Sequence, residues 1–284
     1  MYGAVVGVCW GLAAFFAVAV ARAVTDGAVP HLGYDSHAYW HAWRQHLYNQ
    51  SPDIQFNRFL YSPLFAQLIW PLTKLPWPVF VTVWSVVTAA IFLWLLWPVR
   101  QVWRVPLFVF LCLHEVFVGN INALLAAMVV LGFRYPGLWA LALLTKVAPG
   151  VGLLWFALRR DWRSLGVVAA TTSLLASVSL IAAPGLWRQW LRLLTSGRVA
   201  TQTLLPYWLQ LVVAVMIVSI AARSNRGWLL PVGMLLTLPV AGSVLTLSVL
   251  AAIPRLRATG SDGLKDNNTG GDVRACASLA RGSS

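Results

Sequence analysis

Acidic residues are scarce in this chain. Asp and Glu number 8 in 284 residues against 21 Lys and Arg, and charges of both signs make up only 10%. Soluble domains carry about 25% charged residues, so a water-facing globule of this size would lack the polar surface to cover its core. Cysteine is rarer still, with 3 in all. Cys9 and Cys112 lie inside apolar stretches and Cys276 in a polar tail, which excludes a disulfide framework or a Cys-rich metal site. No CxxC, no P-loop and no GxGxxG occurs. The arginines stand singly or in twos and threes between apolar runs. The net charge of +13 therefore reads as loop charge on the positive-inside pattern, not as a nucleic-acid surface.

What is present in excess is apolar: 59% of residues are hydrophobic and 16 are tryptophan, a residue that collects at membrane interfaces. The fold class expected is an all-α polytopic membrane protein. Apolar runs occupy residues 3–24, 61–72, 79–97, 105–118, 121–133, 136–158, 165–183, 204–222 and 228–253, each judged against the roughly 20 residues a crossing needs. The first has no Lys or Arg before it and is followed by further apolar runs, so it reads as a retained helix rather than a signal peptide. The run at 61–72 is short and bounded by Pro63 and Pro71, which suggests a re-entrant or oblique piece. Trp187, Trp190, Leu191 and Leu194 share one helical face opposite Arg188 and Arg192, the pattern of an interfacial helix. Residues 1–254 form the expected membrane body and 255–284 a disordered polar tail.

Between the first two apolar runs lies the longest polar interval, 25–60, rich in His, Asp, Tyr and Trp. Arg100 and Arg104, and then Arg159, Arg160 and Arg163, mark cytoplasmic turns. One crossing separates the interval from Arg100, so it faces outward.

Ionised groups within apolar runs are costly, about 2.5–3.5 kcal/mol each at a membrane's centre. Lys146 stands mid-run and is a candidate to meet an anionic lipid phosphate or to pair with Glu115. Glu115 lies near the Gly119-Asn120 break and reads as a headgroup-level residue. In the outward interval, Asp35 and Tyr39 share a helical face, as do His37 and His41. Asp35 suits a general base acting on a hydroxyl, with an N-cap as the competing role. The histidine pair lacks a third ligand, so no metal is expected.

Around Arg58 the chain runs Arg58-Phe-Leu-Tyr61-Ser-Pro63-Leu, then Pro71-Leu-Thr-Lys-Leu-Pro76 and Trp84. Gly119-Asn120-Ile-Asn122-Ala-Leu-Leu, Lys146-Val-Ala-Pro149 and Thr201-Gln202-Thr203-Leu204 follow in order. Together with the Asp35-x-x-x-Tyr39 loop, this succession resembles glycosyltransferase family 87, with Asn120 where that family usually has Gln. The resemblance implies a GT-C helical bundle with its active site in the first outward loop. It also implies a plasma-membrane mannosyltransferase-like enzyme needing no cofactor, a polyprenyl-phosphate sugar donor and a glycan or glycolipid acceptor. Asp35 is then the expected base. Arg58, Lys146 and His41 are candidates for the donor phosphate, and Tyr39, Trp40, Tyr61, Asn120, Asn122 and Gln202 for substrate contacts, Tyr39, Trp40 and Tyr61 by stacking on sugar rings or by holding the loop. The alternatives are a transporter or flippase of lipid-linked glycans, or a truncated non-catalytic family member.

Overall fold

The structure is a computed structural model that describes residues 2–25, 32–44, 47–48, 59–195, 206–238 and 244–259. Helix α1 (Tyr2–Thr25) buries almost none of its residues, and among the described residues α4 (Trp77–Leu96) and α10 (Trp162–Ala182) are the other helices long and apolar enough to cross a membrane. Between them come α2 (Tyr34–His41), α3 (Pro63–Ile69), α5 (Gln101–Leu111), α6 (Leu113–Val118), α7 (Asn122–Gly132), α8 (Leu138–Thr145) and α9 (Leu153–Leu158). After α10 follow α11 (Pro184–Thr195), α12 (Tyr207–Arg223) and α13 (Leu230–Leu236), and a last helix, α14, covers residues 252–259. Among the described residues there is no strand. The outward sides of α1, α4, α10 and α12 present Phe15, Val86, Leu174, Ile181 and Met216 at half exposure or more, an apolar belt far larger than a soluble protein shows. The protein is an all-α membrane protein.

The long helices begin and end where their sequences say. Pro78 in the first turn of α4 forfeits an N–H that has no helical partner there. Asp161 caps α10 by accepting from Ser164 N at 3.1 Å. Other runs are broken. Pro106 inside α5 cannot donate to Val102 O, and Trp10 Nε1 on α1 donates to that carbonyl instead at 2.9 Å. With the Tyr2–Trp103 and Phe16–Phe110 ring contacts, this lays α1 alongside α5 in the same direction. The run at 61–72 is a seven-residue helix and a 3₁₀ turn, too short to cross: α3, capped by Ser62 and buried except at Gln67 and Leu68, then Leu72–Lys74. The run at 136–158 is a bent hairpin, extended at Lys146 (φ −135°, ψ 137°) between α8 and a 3₁₀ turn, Ala148–Gly152, that leads into α9. Trp139 packs against Phe156 across it.

Two expectations need revision. The run at 228–253 is not one helix: α13 stops at Leu236, two residues before a C-cap neighbour that precedes Pro239, and the chain resumes as a 3₁₀ helix over Val244–Ala251. The body also continues past residue 254, because α14 buries Leu256 and stacks Arg255 on Trp94 (4.7 Å) and Arg257 on Trp228 (4.0 Å). The rest of the expected tail, 260–284, lies outside the described residues. Helix α11 has no buried residue, while Trp187 donates to Ser179 Oγ at 3.0 Å and Trp190 to Leu60 O at 3.2 Å. An amphipathic helix lying along the bundle meets that description.

The two ends of the bundle differ. Arg100, Arg104, Arg134, Arg159, Arg255 and Arg257 gather at the end where α4 finishes, stacked on Tyr2, Trp97, Tyr135, Trp155, Trp94 and Trp228 respectively. Helix α2 packs at the opposite end, where α4 begins, with the His37 ring 4.7 Å from that of Trp77; the stacked cations there are Arg44 on Trp40 (3.5 Å) and Lys74 on Trp70 (4.7 Å), against the six arginines of the other end.

Candidate active site

Helix α2 is held by its first residues. Gly33, at φ 77°, precedes it and donates its N–H to Phe117 O at 2.8 Å. Gly119, at φ 76°, ends α6, and its carbonyl accepts from Trp84 Nε1 at 2.7 Å. Both backbones are left-handed, a conformation glycine adopts without the penalty a side chain brings. Fully buried Ser36 donates to Gly33 O at 3.1 Å and fills the space against Gly119. Tyr39 fixes the far side: its ring lies in the apolar core and its hydroxyl bonds that of Tyr61 at 2.8 Å. Tyr48 donates to Tyr61 O at 2.7 Å and Trp40 Nε1 to Leu75 O at 2.8 Å. Of the roles expected for Tyr39, holding the loop is the one its burial permits.

The N-cap of α2 is Gly33, so Asp35 does not serve there and its carboxylate is used elsewhere. Asn120 Nδ2 donates to Asp35 Oδ2 at 2.6 Å. The same amide's Oδ1 accepts from Lys146 Nζ at 3.3 Å, and that ammonium also donates to Asn122 Oδ1 at 2.9 Å. Asn122 Nδ2 in turn donates to Glu115 Oε1 at 2.6 Å. A single cation thus stands between two amides, each of which leads to a carboxylate. The apex of the α8–α9 hairpin supplies the lysine. The turn between α6 and α7 supplies Asn120, the first residue of α7 is Asn122, and α2 and α6 supply the acids.

Burial holds the Asp35 carboxyl above the ordinary carboxylate range, while the Asn120 hydrogen bond and the charges of Lys146 and His114 pull it back. The Lys146 ammonium also lies 5.7 Å from the Tyr61 ring centroid, within cation–π reach. His41 is set apart from this chain of bonds. Its ring stacks on His37 (5.6 Å) and Trp40 (6.1 Å), and partial burial with the His37 and Arg44 charges keeps it below its usual range. It therefore presents a neutral ring near pH 7. Arg58 and Gln202 lie outside the described residues.

Sequence reasoning named four members of the chain, Asp35, Asn120, Asn122 and Lys146, as site candidates, and offered the fifth, Glu115, as a headgroup-level residue or a partner for Lys146. Glu115 is fully buried, linked to Lys146 through Asn122, and Ser248 from the 3₁₀ helix after α13 reaches its carboxylate. The signal was present: a carboxylate inside an apolar run needs a partner. Among the described residues no three His, Cys, Asp or Glu side chains are grouped to hold a metal ion.

A buried acid joined through an amide to a fixed ammonium can accept a proton beside a stabilised negative charge. Residues 59–264 match the family model described as Glycosyltransferase family 87, a stretch that takes in Tyr61, Glu115, Asn120, Asn122 and Lys146 but begins after Asp35 and α2. No curated protein and no solved structure gave a match. The model spans more than half of the chain, and the chain belongs to glycosyltransferase family 87.

Proposed function

We propose that this membrane glycosyltransferase moves a hexose, mannose in our reading, from a polyprenyl-phosphate donor to a hydroxyl of a glycan or glycolipid. The reaction is a single inverting displacement. The acceptor oxygen attacks the anomeric carbon and gives its proton to Asp35 as the bond from that carbon to the phosphate oxygen breaks. The polyprenyl phosphate leaves with the bonding pair. Lys146 keeps a third N–H beyond the two given to Asn120 and Asn122, and it and Arg58 are the cations for the departing phosphate. Trp40 and Tyr61 border the sugar. The observation that carries the reading is the Asp35–Asn120–Lys146 bridge, with bonds of 2.6 and 3.3 Å, which holds a proton acceptor beside a cation. A lipid-linked phosphate is its own leaving group, so the cations suffice without a bound nucleotide.

The protein lies in the plasma membrane as a multi-pass chain, its arginine-stacked end cytoplasmic and α2 outside. This orientation follows from the preference of Lys and Arg for the cytoplasmic side. The test is transfer from polyprenyl-phosphate mannose by the purified protein, with a new glycosidic bond as the readout. Asp35→Asn is expected to abolish product while the protein inserts and purifies normally. Product from the Asn variant at most of the original rate would remove Asp35 as the base. A flippase would carry the lipid across a vesicle membrane and form no new bond.

A further inference from the structure

The buried polar chain is nearly symmetric: carboxylate, amide, ammonium, amide, carboxylate. Asp35 and Asn120 form one arm and Glu115 and Asn122 the other, around Lys146. Only one arm leads to the proposed reaction. Glu115 is fully enclosed and cannot touch a substrate. Asn122 Nδ2 donates to its Oε1 and Ser248 also reaches the carboxylate, so the acid is held in place on the Lys146 chain.

We propose that Glu115 is the second carboxylate of the site, competing with Asp35 for the charge of the single Lys146 ammonium and so setting how firmly Asp35 holds a proton. This rests on the assignment of Asp35 as the base. In a low-dielectric interior one cation stabilises one anion well and two poorly. With both acids ionised the chain carries net negative charge, and the two are close enough to repel. Asp35 therefore keeps a greater hunger for a proton than it would alone beside Lys146. Glu115 is a positioning residue in this scheme: it acts on the base through the lysine and its two amide clamps.

The groups facing Asp35 are Tyr39 from its own helix, Tyr61 before α3, His114 and Glu115 from α6, Asn120 from the turn and Lys146 from the hairpin apex. Those facing Glu115 are Cys112, Asn122, Lys146, Ser248, Asp35 and the two tyrosines. Of these, His114 ordinarily titrates near neutrality, so the measurements are made in a His114→Asn background.

The experiment is an infrared titration of the full-length protein in lipid vesicles, following the carboxyl stretch that disappears in Asp35→Asn. Glu115→Gln keeps the acceptor for Asn122 and removes the charge; it should move the Asp35 midpoint to lower pH by about one pH unit or more. Lys146→Met should move it to higher pH by a similar amount. Where either variant does not accumulate, Glu115→Leu and Lys146→Gln replace it with the same signs expected. Packing damage alone would not drive the two in opposite directions. Shifts of the same sign, or none for Glu115→Gln, would overturn the proposal. The acid limb of the transfer rate should follow the infrared midpoints. Absence of transfer by the wild-type protein would defeat the enzymatic reading and leave the infrared result able to decide the electrostatic one.

Discussion

A base that works inside a crevice faces opposed demands: it must be ionised to accept a proton and yet not so well satisfied that it refuses one. In the role proposed for it, Asp35 meets them through one hydrogen bond from a neutral amide instead of a direct ion pair. Because burial raises its affinity for a proton, the transfer rate should fall as pH drops through a midpoint above the ordinary value of 3.8. Asn120 stabilises the charged form, so Asn120→Ala should raise that midpoint further. A charge-assisted hydrogen bond contributes about 1.5–3 kcal/mol, which corresponds to roughly one to two pH units. The pH dependence of kcat measures this, and a midpoint that stays put or falls would refute the role given to Asn120. Lys146 was legible in the sequence because it is an ionised residue in the middle of an apolar run, and Asp35 because it shares a helical face with Tyr39 in the polar interval. The pairing of Glu115 with Asn122 was not. The two are seven residues apart, and only the reversal at Gly119 turns one toward the other.

At the level of elements, the site is made by breaks in helices rather than by helices. Long uninterrupted pieces such as α4 and α10 declare themselves by length and composition. The interruptions need knowledge of who supplies the missing hydrogen bonds. Ser62 Oγ donates to Leu144 O where α8 opens ahead of Lys146, and Trp10 serves Val102 O above Pro106. Both donors are distant in sequence, which is why neither break could be placed from periodicity alone. The turn at Gly119 is the most exacting of these places. A Cβ there would lie 2.5 Å from Ser36 Oγ and 2.7 Å from Ser36 Cβ, on a backbone at φ 76°. Gly119→Ala should cost about 1–3 kcal/mol from strain alone and lower the thermal midpoint in detergent. Gly166→Ala, in the second turn of α10 with nothing near it, should leave the midpoint unchanged or raise it slightly. Equal behaviour of the two would mean that the α2–α6 junction is looser than its geometry indicates.

For the molecule as a whole, composition was enough to identify a helical membrane protein, and the motifs in order were enough to suggest its family. The convergence of residues 35, 115, 120, 146 and 248 was beyond either, since it depends on how α2, α6, α8 and the Val244–Ala251 helix meet. The excess of stacked arginines at the end where α4 finishes, over the α2 end, makes a whole-molecule prediction. In a background without Cys9, Cys112 and Cys276, Leu32→Cys and Arg163→Cys, both at exposed positions, should react with an impermeant thiol reagent from opposite faces of sealed vesicles. Labelling of both from one face would reverse the assigned sidedness.

The order of these parts along the chain matters during synthesis. Asp35 leaves the ribosome first, then Glu115 and its neighbouring asparagines, and Lys146 last of the five. Until the α8–α9 hairpin has been inserted, two acids have no countercharge. The nascent first loop must therefore remain in water, or carry its protons with it, while α3 to α7 are made, and the chain of hydrogen bonds is completed only when the lysine arrives.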